Sequence, residues 1–253
     1  MENNLARLSS GFRINKAADD AAGLAISENL KAQIRGLKQA NRNANDGISM
    51  AQVAEGGLNE ISSMIIRMRE LAIQSSSDTL SDVERQFTDK EFQQLKREIQ
   101  RVAEVTEYNG HELLNGLGGL LDIQVGIHND PFQDRISFDG SRADSTLASL
   151  GLVSESTVSK EESRTSLAAL DEALLGVNGM RAELGAFQNR LTSTINNLNI
   201  AHENLSSANS RIRDADIAEE TAELTRNQVL LQANTAALGH ANGITNLALK
   251  LLG

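Results

Sequence analysis

The sequence predicts a mainly α fold: a long antiparallel helical coiled-coil bundle made from the N- and C-terminal halves, with a small β-hairpin subregion between them. Three observations predict it. Aromatic residues make up 3% of the chain, with no Trp and one Tyr, so the core has to pack with Leu, Ile, Val, Ala and Met, as helical bundles do. Pro131 is the one proline, so nearly the whole chain lacks the strongest helix breaker. Apolar residues then recur at steps of three and four over long stretches at both ends, and two helices of matching length invite pairing with each other.

The first helix is expected over about residues 17–74. Leu30, Ile34, Leu37, Ala44, Ile48, Ala51, Leu58, Ile61, Ile65 and Met68 form its stripe, with gaps at polar Asn41 and Glu55. At 1.5 Å per residue it would run roughly 85–90 Å, far longer than a globular helix needs. Gly23, Gly36, Gly47 and the pair Gly56-Gly57 lie inside it. Each costs up to about 1 kcal/mol against Ala, so either some of them break the helix or they admit close approach by neighbouring helices.

The Ser/Asp/Thr cluster of "SSSDTLSDVERQ" ends that helix. A second helix follows over about 82–107, with Asp82 as a candidate cap and Phe92, Leu95, Ile99 and Val102 as its apolar stripe. "EYNGHELLNGLGG" reads as turns, because it carries two Asn-Gly pairs. The alternation of "LLDIQVGI", a turn at "HNDPFQD" and alternation again in "RISFDG" predict a β-hairpin over about 120–139. Residues 141–160 read as polar and irregular. Helix returns over about 164–212, with Leu170, Leu174, Val177, Leu184, Phe187, Leu191, Ile195, Leu198, Leu205, Ala208 and Ile212 near three-four spacing. The last helix continues over 213–253 and ends on "RNQVLLQANTAALGHANGITNLALKLLG", almost uncharged in a chain whose net charge is -10.

Composition excludes several functions. Without cysteine there are no disulfides, thiolate metal sites or Cys nucleophiles. A pI near 5.0 argues against a general nucleic-acid or anionic-membrane binder. No apolar run is long enough to insert across a membrane, and the N-terminus lacks a basic segment followed by an apolar one. His111-Glu112 and His202-Glu203 begin like a zinc-protease motif, but Asn115 and Ser206 stand where the second His is required. Leu121 takes the last glycine position of a phosphate-cradling loop at 116–121. Nothing pairs a nucleophile with a base. No enzyme activity, metal or cofactor is expected.

Two long stretches are more specific. "LARLSSGFRINKAADDAAGLAISENLKAQIRGLKQANRNANDGISMAQVAEGGLNEISSMIIRMRELAIQ" resembles the N-terminal half of bacterial flagellins. "NLSSANSRIRDADIAEETAELTRNQVLLQANTAALGHANGITNLALKLLG" resembles their C-terminus, and "LDIQVG…DRISFDG" is similar to the family's inner hairpin. The resemblance covers about half the chain, at both ends and in the right order. It implies a structural subunit that self-assembles into the flagellar filament as a helical homopolymer, here in a short form without outer variable domains. Residues 1–16 would be the remnant of an N-terminal inner-tube helix with its linker, 17–212 the core domain, and 213–253 the C-terminal inner-tube helix. The family carries further helical turns before "LARLSSG", so the segment that pairs with 213–253 is expected to be missing or to lie upstream.

The resemblance also implies partners and surfaces. Leu230, Leu231, Leu238, Ile244, Leu247, Leu249 and Leu251 would be polymer contacts buried in the inner tube. An export chaperone would hold the C-terminal segment, and filament cap and hook-associated proteins would contact the polymer. The protein would be secreted, as part of the extracellular flagellum, without a cleavable signal peptide. "RMRELAIQ" resembles the segment that Toll-like receptor 5 of the host recognises, so Arg67, Leu71 and, on the second helix, Glu91 are candidate receptor contacts. Ile66, where Gln is common, and Leu95-Lys96 depart from the family pattern. A structural alternative for that face is an Arg67–Glu70 pair that packs on the next subunit. The alternative function is a hook–filament junction protein, whose C-terminus matches flagellins less well. A flagellin with a metalloprotease insert and an adaptor inside the cell are the remaining alternatives.

Overall fold

The fold is that of a computed structural model, which describes the backbone of residues 2–252 and the side chains of residues 2–240. The chain divides into two compact units, residues 36–200 and residues 1–35 with 201–253. Its helices are α1 (Glu2–Ser10), α2 (Ala21–Ser75), α3 (Asp82–Val105), α4 (Lys160–Arg213) and α5 (Ile217–Leu252). Its strands are β1 (Glu107–Tyr108), β2 (His111–Glu112), β3 (Leu120–Gln124) and β4 (Arg135–Asp139).

Within residues 36–200, α2 and α4 run antiparallel, and polar pairs set their register. Asn41 Nδ2 donates to Asn199 Oδ1 at 2.7 Å, Gln188 Nε2 to Glu55 Oε2 at 3.0 Å, and Arg69 Nε to Asp171 Oδ1 at 2.7 Å. Residue numbers rise on one helix as they fall on the other. The two polar gaps in the α2 stripe are therefore places where α2 is bonded to α4. Between the Glu55 and Arg69 bonds lies the core of α2: Leu58, Ile61, Ile65 and Met68 pack with Phe92 and Ile99 of α3 and Leu170, Val177 and Leu184 of α4. Burying such side chains at roughly 25 cal/mol per Å2 is what holds three helices together that would be marginal alone.

Several helix boundaries differ from the sequence reading, among them the start of the last helix, which is Ile217 and not 213 because Asp214 and Ala215 pair with the α1–α2 linker. α2 begins at Ala21 and not at 17, because Asp19 accepts from the backbone N–H groups of Asn15 and Lys16 and closes a turn, and Asp20 Oδ1 accepts from Gly23 N at 2.9 Å as a cap. α3 ends at Val105 and not at 107, because residues 107–108 are drawn into a strand. α4 begins at Lys160 and not at 164: Glu162 N donates to Ser159 Oγ at 3.2 Å and Ser159 N to Glu162 Oε2 at 3.3 Å, a reciprocal capping box. The cap of α3 is Ser81, not Asp82, with Glu84 returning a bond to Ser81 N.

No glycine breaks α2. A Cβ at Gly36 would meet Ile127, one at Gly47 would meet Ile123, and one at Gly57 would meet Leu114 and Thr106. Close approach is the reason for these three, but the approaching groups come chiefly from the β-hairpin and the 106–114 loop, with Leu191 of α4 at Gly47 the contact from a helix.

The predicted hairpin is present with Leu121 opposite Phe138 and Ile123 opposite Ile136. These four form its inner face, where Phe138 stacks obliquely on Phe187 with ring centroids 5.6 Å apart. A second antiparallel pair stands where only turns were expected: Glu107 faces Glu112 and Tyr108 faces His111. Residues 141–160 are also not a loose polar loop. Ala143, Ser145, Leu150, Leu152 and Thr157 are buried, and α3 staples the segment down. Lys96 Nζ donates to the carbonyls of Val153 and Glu155 at 2.9 and 2.8 Å, and Asp89 Oδ1 accepts from Thr157 N at 2.9 Å. Burial pulls the Lys96 ammonium below its usual value, against the opposing field of Asp89 and Glu155.

The other unit joins the two ends of the chain. Arg13 N donates to Arg213 O at 2.7 Å and Ala215 N to Gly11 O at 2.9 Å, so the α1–α2 linker lies antiparallel to the α4–α5 linker. Arg213 stacks over Phe12 at 4.8 Å and pairs with Glu28. That pairing holds the Glu28 carboxyl below its ordinary value.

Candidate functional site

The described residues present two surfaces to weigh, and neither is a catalytic arrangement. His111 and Glu112 lie exposed on β2, and His202 and Glu203 lie on α4, so neither pair sits where a second imidazole could join it. Among the described residues no cluster of His, Asp and Glu could hold a metal ion. Among them, too, no helix is long and apolar enough to cross a membrane.

The first surface is the outer edge of α2 and α3. Arg67 Nε donates to Glu91 Oε1 at 2.9 Å and Arg67 Nη1 to Glu70 Oε2 at 2.9 Å. Arg67 thus bridges the two helices through one carboxylate and its own turn through another. Both bonds favour the charged guanidinium, whose pKa is raised, with Glu91 the larger cause. Arg67 and Glu91 are brought together and both are exposed. Leu71 is not on that surface: it is 2% exposed and belongs to the core. One turn separates Arg67 from Leu71, yet the α2 face between α3 and α4 is wide enough that Leu71 falls inside its edge. The apolar groups exposed nearby on α2 are Ile66 and Ile73, which the sequence reading did not single out for contact.

The second surface is α5. Its first turns are covered by α1: Arg7 Nη1 reaches Glu220 Oε1 at 2.9 Å and Asn4 Nδ2 reaches Glu223 Oε2 at 3.3 Å. Residues 1–16 therefore do supply a partner for the start of 213–253. The signal was Arg7 and Asn4 spaced about one turn apart, opposite Glu220 and Glu223 at the same spacing. Beyond it the cover ends, and from Gln228 to His240 every residue is exposed. Val229, Leu230, Leu231 and Leu238 stand 58%, 52%, 53% and 63% exposed. Three successive apolar residues on an α-helix span about 200° of its circumference, which is the pattern of a helix surrounded by protein and not of a surface helix. Ile244, Leu247, Leu249 and Leu251 lie outside the described side chains.

The chain matches two family profiles, "Bacterial flagellin N-terminal helical region" over residues 1–118 and "Bacterial flagellin C-terminal helical region" over residues 167–252. It is 46% identical over 246 residues to a flagellin of Halalkalibacterium halodurans, covering 97% of this chain and 89% of that protein. It is 40% identical over 265 residues to the flagellar filament 33 kDa core protein of Treponema phagedenis, covering 100% and 92%. Among solved structures it is similar to Bacillus cereus flagellin, with a TM-score of 0.55 at 30% identity over 62% of this chain and 88% of that one. A hook-associated protein structure from Vibrio parahaemolyticus shares the fold, with a TM-score of 0.64 at 15% identity over 78% and 100%.

Proposed function

The chain belongs to the bacterial flagellin family, and from that premise we propose that it is a structural subunit that self-assembles into the flagellar filament. It is a building block and not an enzyme. The observation that carries this reading is the bare stretch of α5. A helix with apolar side chains over more than half its circumference and no cover from the described residues of its own chain is completed by other copies. Burying Leu230, Leu231 and Leu238 at roughly 25 cal/mol per Å2 favours each added subunit, and repetition along a helical polymer multiplies the gain. The seeded growth of filaments tests it. Leu231→Asp or Leu238→Asp changes a solvent-exposed position, so the monomer keeps its melting temperature, and elongation from filament seeds fails. Elongation at the unaltered rate would overturn the reading.

The same reading extends to the remaining partners. Residues 1–16 and 213–253 serve as the inner-tube segments and 17–212 as the core domain. A dedicated chaperone covers the C-terminal segment before export, the cap and hook-associated proteins meet the polymer at its ends, and the protein leaves the cell without a cleavable signal peptide. We further propose that the free monomer engages Toll-like receptor 5 through the α2–α3 edge. Arg67 and Glu91 are the contacts there, and Leu71 acts from beneath by fixing the edge. An Arg at the centre of an interface is a common energetic anchor. Arg67→Ala and Glu91→Ala should each lower receptor signalling by about tenfold or more in reporter cells, and full potency in both would refute this surface.

A further inference from the structure

We propose that Asn109 is a site of spontaneous covalent modification, the first to deamidate of the Asn-Gly bonds whose side chains are described. The reaction needs only water. The backbone nitrogen of Gly110 loses its proton to solvent base and attacks the side-chain amide carbon of Asn109. A nitrogen–carbon bond forms, the amide leaves as ammonia, and a five-membered succinimide remains. Water then adds to either carbonyl of the ring and opens it to an aspartate or an isoaspartate. Glycine in the second position speeds the step because a Cβ there would crowd the attack.

Three Asn-Gly bonds lie in the described side chains, and the fold treats each differently. Asn178-Gly179 is inside α4, where the attacking N–H is bound in the helical ladder and the backbone cannot turn toward the side chain. Asn115 is clamped at both ends of its amide: Nδ2 donates to Glu112 Oε2 at 2.6 Å, and Oδ1 accepts from Leu117 N at 3.0 Å. Gly116 is further crowded by Asp144, which a Cβ would meet at 3.0 Å.

Asn109-Gly110 has none of these restraints. It is the two-residue turn between β1 and β2, with φ of 52° and 80°, the conformation such turns select. Both residues are exposed, and nothing lies within 4 Å of the space above Gly110. The side-chain bonds of this loop run from Thr106 and Asn115, not from Asn109. The strands that hold the turn are two residues each and place Glu107 opposite Glu112, a like-charge pair that favours opening.

The product has a defined structural effect. A new carboxylate adds a third negative charge to this hairpin. An isoaspartate also adds a backbone methylene, which a two-residue turn cannot absorb. The turn therefore opens, while Leu113 and Leu114, both fully buried, keep the loop anchored on α2.

The test is peptide mapping of the intact chain after incubation at mildly alkaline pH and body temperature, with an isoaspartate-specific methyl-transfer assay on each peptide. A free peptide spanning 106–113 serves as the chemical reference. The mass gain of NH2 replaced by OH identifies the event and excludes isomerisation at Asp-Gly bonds, which leaves mass unchanged. Asn109 should convert first, at least about tenfold faster than Asn115 or Asn178. Conversion of either of those first would overturn the proposal, and so would an Asn109 that stays intact after the free peptide has fully converted.

Discussion

Two adjacent glycines in α2 should respond differently to the same substitution. Both Gly56→Ala and Gly57→Ala remove the conformational freedom of glycine inside a helix, which by itself stabilises by up to about 1 kcal/mol. At Gly56 a Cβ meets nothing within 4 Å, so that gain is kept. At Gly57 it meets Leu114 Cδ1 at 2.7 Å and Thr106 Oγ1 at 2.8 Å. Neither neighbour yields easily. Leu114 is fully buried, and the Thr106 hydroxyl donates to Val102 O at 2.6 Å as α3 ends. Overpacking of this kind costs about 1–3 kcal/mol. Because the propensity gain is common to both variants, the difference between them is the overpacking cost alone. For a chain of this size it corresponds to roughly 2–12 °C in Tm. Thermal melts of the monomer followed by circular dichroism would show Gly56→Ala above the parent and Gly57→Ala below Gly56→Ala. Equal melting temperatures, or Gly57→Ala the more stable of the two, would refute the packing argument.

Other outcomes follow from the caps, the carboxylates and the core. Ser81→Ala removes the hydroxyl that accepts from Glu84 N and should cost about 0.5–2 kcal/mol, read as a lower urea midpoint with unchanged slope. Leu58→Ala empties a fully buried position in the main core and should cost about 2–5 kcal/mol. Glu28, Asp78, Glu84 and Asp19 all carry carboxyls held below their ordinary values, by Arg213, Lys160, Ser81 and the Lys16 backbone N–H in turn. Near those values the unfolded chain binds more protons than the folded one, so their stabilisation is complete above about pH 5.5 and is lost as pH falls through the ordinary values toward the lowered folded ones. Melting temperature measured against pH should therefore be flat in this contribution near neutrality and fall in acid, and an acid-insensitive Tm would contradict these pairings.

The parts of the fold that the sequence announces are those with a period. The three-four stripe from Leu30 to Met68 gave α2 its core face, and alternation on both sides of "HNDPFQD" gave the hairpin. What escaped has no period to read. Two-residue strands such as Glu107–Tyr108 are too short to alternate, and the burial of Leu150, Leu152 and Thr157 depends on side chains of α3 some sixty residues away in sequence, Lys96 and Asp89 among them. The α4 start was legible in Ser159 and Glu162, a cap pattern that the apolar stripe overshadowed. On the interaction surfaces, charge read better than burial. Arg67, Glu70 and Glu91 do meet, whereas Leu71 lies inside the core because helix spacing fixes a direction but not the width of the face that neighbours cover. The polar gaps that Asn41 and Glu55 leave in the α2 stripe are where α4 is held.

The central claim is that α5 is completed by other copies of the chain. The most direct test is mass spectrometry of appendages sheared from the source cells, with hydrogen exchange measured on residues 224–240 in the appendage and in the free monomer. The account predicts that this chain is the bulk constituent and that its amides in that stretch exchange far more slowly in the appendage than in the monomer. A filament-rich fraction without this chain, or one in which those amides exchange as freely as in the monomer, would contradict it.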